Sequence, residues 1–213
     1  MTLGLFGEKL GMTQIYNEDG LVIPVTVIKL EKLTVTQVKT KDTDGYNAIQ
    51  VGFCEVKKRK LTKAELMHLE NNKLPAFKYL RELRINNPGN YEVGQEIDLA
   101  EFENIQKVDI TGKSIGKGFQ GTIKRHNFSR GPMSHGSKNH RLPGAIGAHT
   151  TPGRVFKGLK MAGNMGNQNV TVKKLSIVKI DKDKNLLLVK GSVPGHEGTM
   201  VSIKPSRTVW NSN

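Results

Sequence analysis

The feature that most constrains this chain is a gap in its charge pattern. From Ile110 to Ile180 there is no Asp or Glu, while the same 71 residues carry 13 Lys or Arg. The other 142 residues hold 20 basic and 19 acidic side chains, so one third of the chain supplies +13 of a net charge of +14. Solvated surfaces mix both signs because opposite charges relieve repulsion. Exclusion of carboxylates over such a length instead matches a surrounding lined with phosphate, which repels them. The window also holds 12 of the 23 glycines and four of the six histidines. A stretch of that composition cannot bury enough apolar surface to offset a backbone ordering cost of about 1–2 kcal/mol per residue. Its part from about Arg125 to Gly166 is expected to lack fixed structure until a polyanion neutralises it.

The flanks carry strand and turn patterns. Met12 to Tyr16, then Asn17-Glu18-Asp19-Gly20, then Leu21 to Leu30 predict a strand, a turn and a strand. Val22, Pro24, Thr26 and Ile28 share one face of the second strand, and Ile23, Val25 and Val27 the other, which predicts partial burial on both sides. Val35 to Val38 and Ala48 to Val56 continue the pattern. Thr62-Lys63-Ala64-Glu65 is a capping box, with Leu61 and Leu66 at the staple positions, and it predicts a helix to about Asn71. Pro75 opens a second expected helix with Phe77, Leu80 and Leu83 at threefold spacing. Asn86 to Asn90 predicts a turn and Glu96 to Leu99 a strand. Beyond the basic stretch, Val170 to Ile180 alternates, Asp181 to Asn185 turns, and Leu186 to Val189 and Met200 to Ile203 predict strands. The expected fold is mainly β: a body formed by residues 1–110 and 170–213 from both ends of the chain, with short helices, interrupted by a basic Gly-rich extension at 111–169. Short strands with tight turns favour a small barrel over a sandwich.

Few chemistries fit the motifs. Gly116-Lys117-Gly118-Phe119-Gln120-Gly121 matches a glycine-rich nucleotide loop, and a nucleotide-dependent enzyme using it is the alternative function. Its context fails, because no acid follows before Asp181 to hold a ribose or a metal. Gly112-Lys113-Ser114 resembles the end of a phosphate loop, but Lys107 stands where the required glycine should be. His126, His135, His140 and His149 have no carboxylate or thiol between them and lie among cations, which opposes a divalent metal. They also lack the orienting acid of a catalytic triad. Asp42 with Asp44, and Asp181 with Asp183, sit in turn contexts that favour Asp for backbone hydrogen bonding. Cys54 lies in an apolar strand and is expected to be a small, silent core residue. No cofactor is expected. The aromatic content of 6% lacks the dense strand motif of a base-reading sheet, so recognition of folded RNA by shape and phosphate is favoured. The candidate RNA-binding residues are Lys113, Lys117, Lys124, Arg125, His126, Arg130, His135, Lys138, His140, Arg141, His149, Arg154, Lys157 and Lys160.

Phe102, Asp109, Gly112, Ser114, Gly116-Lys117-Gly118, Gly121 and Arg125 stand at the spacings of a known signature. The chain resembles the large-subunit ribosomal protein L-three family, in its bacterial and organellar form. The resemblance runs the length of the chain: Gly7 to Gln14, His140 to Gly144, Thr151 to Gly158, Met161 to Gly166 and Val189 to Gly195 all look like that family. It implies a six-stranded β-barrel body and a long arm inserted between barrel strands that penetrates large-subunit ribosomal RNA. It also implies binding near the RNA 3′ end early in assembly, and an arm tip, Leu142 to Pro152 here, near the peptidyl transferase centre. Neighbouring ribosomal proteins L-fourteen and L-nineteen are the implied protein partners, with no membrane and no small-molecule substrate. Some bacterial members carry a modified glutamine in the block that here is Gly147 to Gly153; no glutamine stands there, so that methylation is not carried over.

Composition bounds the location. No apolar run is long enough to span a bilayer, and the N-terminal residues lack a basic stretch followed by an apolar block. Lysine far exceeds arginine, a bias of AT-rich genomes. The expected place is the ribosome of a bacterial cytoplasm or a plastid stroma.

Overall fold

The computed structural model describes residues 4–97 and 105–206. Phe102 and the last two positions of the strand expected over Glu96 to Leu99 lie outside the described residues. The chain divides into two compact units. One holds residues up to Lys113 together with those from Asn169 onward; the other is Ser114–Gln168.

In chain order the strands are β1 (Leu5–Tyr16), β2 (Val22–Leu30), β3 (Leu33–Lys39), β4 (Ala48–Glu55), β5 (Phe77–Arg84), β6 (Glu96–Ile97) and β7 (Lys107–Lys113). They continue with β8 (Phe119–Gln120), β9 (Gly163–Asn164), β10 (Asn169–Asp181), β11 (Leu186–Lys190) and β12 (Met200–Pro205). The helices are α1 (Lys41–Asp44), α2 (Lys63–Asn71) and α3 (Thr122–His126). The protein is therefore mainly β with a few short helices, and no described helix is long and apolar enough to cross a membrane.

In the first unit, β1 pairs with β12, β12 with β7, β7 with β10, β10 with β11, β11 with β2, and β2 with β1, all antiparallel. The pairing closes on itself, which leaves no free edge to recruit another strand. Strand alternation fills its interior. Val108, Ile110 and Gly112 on β7, Leu187 and Val189 on β11, and Val201 and Ile203 on β12 are buried, while their neighbours face outward or lie half-buried. A second antiparallel sheet, in the order β5-β4-β3-β6, shares the same hydrophobic core, with the Phe6 and Phe53 rings stacked at 5.0 Å between centroids. Full burial of each Val, Leu or Ile is worth about 1.5–3 kcal/mol.

Two details hold the far end of β7. Lys9 is buried, and its Nζ donates to the carbonyls of Val193 and Gly195, each at 2.8 Å. These bonds replace the hydration a buried ammonium loses. The loop so fixed lies against Gly112, where an added Cβ would stand 2.8 Å from the Pro194 carbonyl oxygen. Only glycine admits that approach.

Two expectations are overturned. Phe77–Arg84 is a strand, not a helix, paired with β4 in the register Phe53↔Tyr79. Phe77 and Leu83 face the core in period two while Leu80 is only half-buried, so the threefold spacing does not form one face. The outer edge of β4 needs hydrogen-bond partners, and β5 supplies them. Cys54 is half-buried rather than a core residue, at φ 61, beside Glu8, Lys78 and Tyr79. A left-handed backbone at a non-glycine residue cannot be read from an apolar strand pattern.

Helix α2 starts where its capping box places it. The Thr62 hydroxyl accepts from the Glu65 amide at 3.4 Å, and Glu65 Oε2 accepts from the Thr62 amide at 2.9 Å and its hydroxyl at 2.8 Å. The Thr62 amide and then its hydroxyl hold the Glu65 carboxyl below its ordinary 4.5. A depressed folded-state pKa means this contribution is complete above the ordinary value and is lost as pH falls through the folded one. Thr62→Ala should lower stability by about 1 kcal/mol at neutral pH. The gap between parent and variant should narrow in urea titrations carried into acid; a constant gap would show that the Glu65 charge takes no part.

Candidate nucleic-acid interface

Within Ser114–Gln168 the two chain ends run alongside each other. The Ser114 amide donates to Gln168 O at 2.8 Å, Asn167 N to Ser114 O at 3.1 Å, Lys117 N to Met165 O at 2.8 Å and Met165 N to Gly118 O at 2.9 Å. The ladder continues into β8 and β9, with Phe119 opposite Asn164 and Gln120 opposite Gly163. Gly121 then starts α3, which Asn127 ends at φ 59. Arg125 Nη1 and a ring N–H of His126 both donate to the Met161 carbonyl, at 2.8 and 2.9 Å. Gly163 leaves room for that guanidinium: an added Cβ would come 2.5 Å from Arg125 Nη1. Further along, Gly131 N donates to His140 O at 3.0 Å and His140 Nδ1 to Pro132 O at 3.0 Å, closing a ten-residue loop.

Past this loop the chain stops folding on itself. Every residue from Arg141 to Lys160 is exposed. The chain there keeps two tight turns, at 150–152 and 157–158, the second closed by the Leu159 amide on Phe156 O at 3.4 Å.

The structure sorts the candidate residues into two sets. Lys113 is exposed at the end of β7, in the first unit. In the second unit Lys117, Lys124, Arg130, His135, Lys138, Arg141, His149, Arg154, Lys157 and Lys160 are exposed, and among the described residues none has an ion-pair partner. Arg125, His126 and His140 are half-buried and already engaged with backbone carbonyls, so they build the unit as well as charge it. The ion pairs among the described residues, Lys39–Glu82 and Lys58–Glu70, both at 2.7 Å, belong to the first unit. The second unit is thus an uncompensated cationic surface.

The glycine-rich loop is not a nucleotide cradle. Its Lys117 amide is committed to Met165 O, it runs into a helix of five residues, and no carboxylate lies in the unit. What residue-type reasoning missed is the apolar exposure. Phe119 is 72% exposed, Leu142 67% and Phe156 59%, inside a stretch whose aromatics are too sparse for the strand motif of a base-reading sheet.

Comparison with known proteins accounts for this layout. A family model described as ribosomal protein L3 matches residues 90–186, a span that contains the whole second unit. The large ribosomal subunit protein uL3 of Nostoc punctiforme is 54% identical over 209 residues, covering 98% of this chain and 100% of that protein. The chain belongs to the ribosomal protein L3 family. The uL3 proteins of Trichodesmium erythraeum and Thermosynechococcus vestitus, at 53% and 51% identity, also cover 98% of the chain and 99% of their own lengths. Glycines 112, 116, 118 and 121 and Arg125, which carried the family resemblance, lie at the end of β7, in the loop and in α3.

One residue of this unit is left unsatisfied. Thr122 is buried, and its hydroxyl oxygen has no partner among the described residues. A buried polar group without a partner costs about 1–3 kcal/mol. Thr122→Val, which keeps the shape and removes the hydroxyl, should hold or raise the thermal midpoint, measured by amide exchange of α3 if the global transition is insensitive. Loss of protection in α3 would reveal a partner that this arrangement lacks.

Proposed function

We propose that this chain is a structural constituent of the large ribosomal subunit whose acid-free stretch binds large-subunit ribosomal RNA. The structural ribosomal role follows from family membership, and the family is not one of enzymes. The observation that carries the RNA reading is the run of exposed cations in Ser114–Gln168 with no internal counter-ion. In this reading the closed six-stranded sheet is a barrel body formed by residues 1–110 and 170–213, and 111–169 is an arm that enters the RNA. The chain binds near the 3′ end of that RNA, helps to nucleate assembly, and directs Leu142 to Pro152 toward the peptidyl transferase centre. Proteins L-fourteen and L-nineteen are its neighbours. All of these finer points rest on the family resemblance.

The physical mechanism is neutralisation. Each Lys or Arg that meets a phosphate releases counterions, so affinity falls steeply with salt. Arginine adds bidentate contacts and stacking. The fully exposed Arg141–Lys160 segment has little of its own structure to lose and is ordered by RNA.

Replacing Lys113, Lys117, Lys124 and Arg125 by Gln should lower the salt slope of RNA binding, by up to about 0.7–0.9 for each phosphate no longer neutralised. Replacing Lys29, Lys32, Lys39 and Lys41 should lower it less, and equal effects would refute the assignment. Trypsin should cut the free chain first at Arg130, Lys138, Arg141 and Arg154. The same bonds should resist in assembled subunits, with the chain co-sedimenting after a high-salt wash.

A further inference from the structure

The loop Gly116–Gly121 has no chemistry in the free protein, yet it holds the most exposed large apolar side chain among the described residues, Phe119 at 72%. Soluble surfaces do carry single apolar residues, so exposure alone decides nothing. Three further observations bear on it. Phe119 sits on a hydrogen-bonded ladder, opposite Asn164, so the ring is presented from an anchored backbone. Cationic Lys117 and Lys124 flank it, both exposed and without an ion-pair partner among the described residues, in a unit that lacks carboxylates. Gly121, the N-cap of α3, needs glycine for neither backbone angle nor space: its φ is −70° and an added Cβ would meet nothing within 4 Å. Missing bulk that the fold itself does not need leaves room for something else.

We propose that this loop is a base-stacking site for large-subunit ribosomal RNA. Phe119 lies against the face of an unpaired nucleobase, Lys117 meets a flanking phosphate, and the bare backbone at Gly121 lets the sugar-phosphate chain approach. The proposal rests on the RNA-binding function above and adds to it an interaction that is not electrostatic. A cationic, carboxylate-free rim selects nucleic acid over an ordinary protein surface as the cover for the ring. Aromatic stacking on bases is sequence-tolerant and depends little on salt, whereas phosphate neutralisation sets the salt slope.

The experiment measures binding of the full chain to transcribed large-subunit ribosomal RNA across a range of KCl. Phe119→Ala should weaken binding about five- to a hundredfold at every salt concentration, the range of a single base stack, with the slope unchanged. Phe119→Leu should weaken it nearly as much, and Phe119→Trp should bind as well as the parent. Gly121→Ala should keep the parent's circular dichroism and melting while weakening RNA binding. Parent-like affinity of Phe119→Ala would overturn the stacking site. So would failure only of its incorporation into particles with RNA affinity intact, which would assign the ring to a neighbouring protein. If the parent itself showed no binding to the RNA at any salt concentration, the RNA-binding function would fail instead, so the two failures are separable.

Discussion

Like charges held along one chain with no counter-ion keep that chain from collapsing. In water two cations a few ångströms apart repel by about 1 kcal/mol, and screening reaches only about 8–10 Å at moderate salt. Collapse of the exposed stretch from Arg141 to Lys160 would bring such pairs inside that distance. Several acids of the first unit already serve the fold. Glu65 closes the α2 cap, Glu70 meets Lys58, and Glu82 is held below its ordinary pKa by Lys39 and then Tyr46. Asp109 and Asp181, which bracket the acid-free stretch, accept backbone amides from Lys174 at 2.8 Å and Lys184 at 3.1 Å. Carboxylates here support the backbone, and the cationic surface is left for a partner of opposite charge.

The topology permits such an insertion at little cost. β7 and β10 are neighbours in the closed sheet and pair antiparallel, so the chain leaves at Lys113 and returns at Asn169, its direct partner. Loop-closure entropy grows only slowly with length, about 0.6 kcal/mol per doubling. The residues between, Ser114–Gln168, therefore burden the pairing little more than a short loop would. Closure also makes the fold depend on both ends of the chain: β1 and β2 from the start pair with β12 and β11 from the end. The buried Lys9 adds a link of the same kind, across 184 residues to the Val193 carbonyl.

Much of this was legible in the sequence because it is written in short-range patterns. Alternation marked β2, β4 and β10, and the Thr62–Glu65 box located α2 to the residue. The charge gap from Ile110 to Ile180, which spans Ser114–Gln168, is legible because charge is a compositional property that needs no geometry. Sequence reading fails where a long-range partner decides. Phe77 to Arg84 carries apolar residues at both twofold and threefold spacing, and only the β4 edge selects the strand. Lys9 looks like any surface lysine until two carbonyls from the far end of the chain surround it. Arg125 and His126 were read only as RNA-binding residues, while a shared bond acceptor at Met161 gives them work inside the unit. The ladder that presents Phe119 was invisible because its partner, Asn164, lies 45 positions away in a stretch without strand pattern.

Charge alone cannot place a protein on an RNA. Phosphates repeat along every strand, so neutralising them supplies affinity and speed but no address. Register must come from interactions that fail when displaced by a few ångströms. On the proposed RNA-binding reading, the candidates in the second unit are few: the aromatic and branched apolar side chains of Phe119, Leu142 and Phe156, each exposed and each close in sequence to a cation. The protein holds the first on a hydrogen-bonded ladder and leaves the other two in the stretch without internal structure. Anchoring lowers the ordering cost of the first interaction, whereas the later ones must fix their own backbone as they form. Binding that starts at the laddered loop and proceeds toward Leu142 and Phe156 spreads that cost over successive small steps. If the segment enters RNA as proposed, the gradient of internal hydrogen bonding, dense near Ser114 and Gln168 and sparse from Arg141 to Lys160, favours an order in which the laddered end docks first.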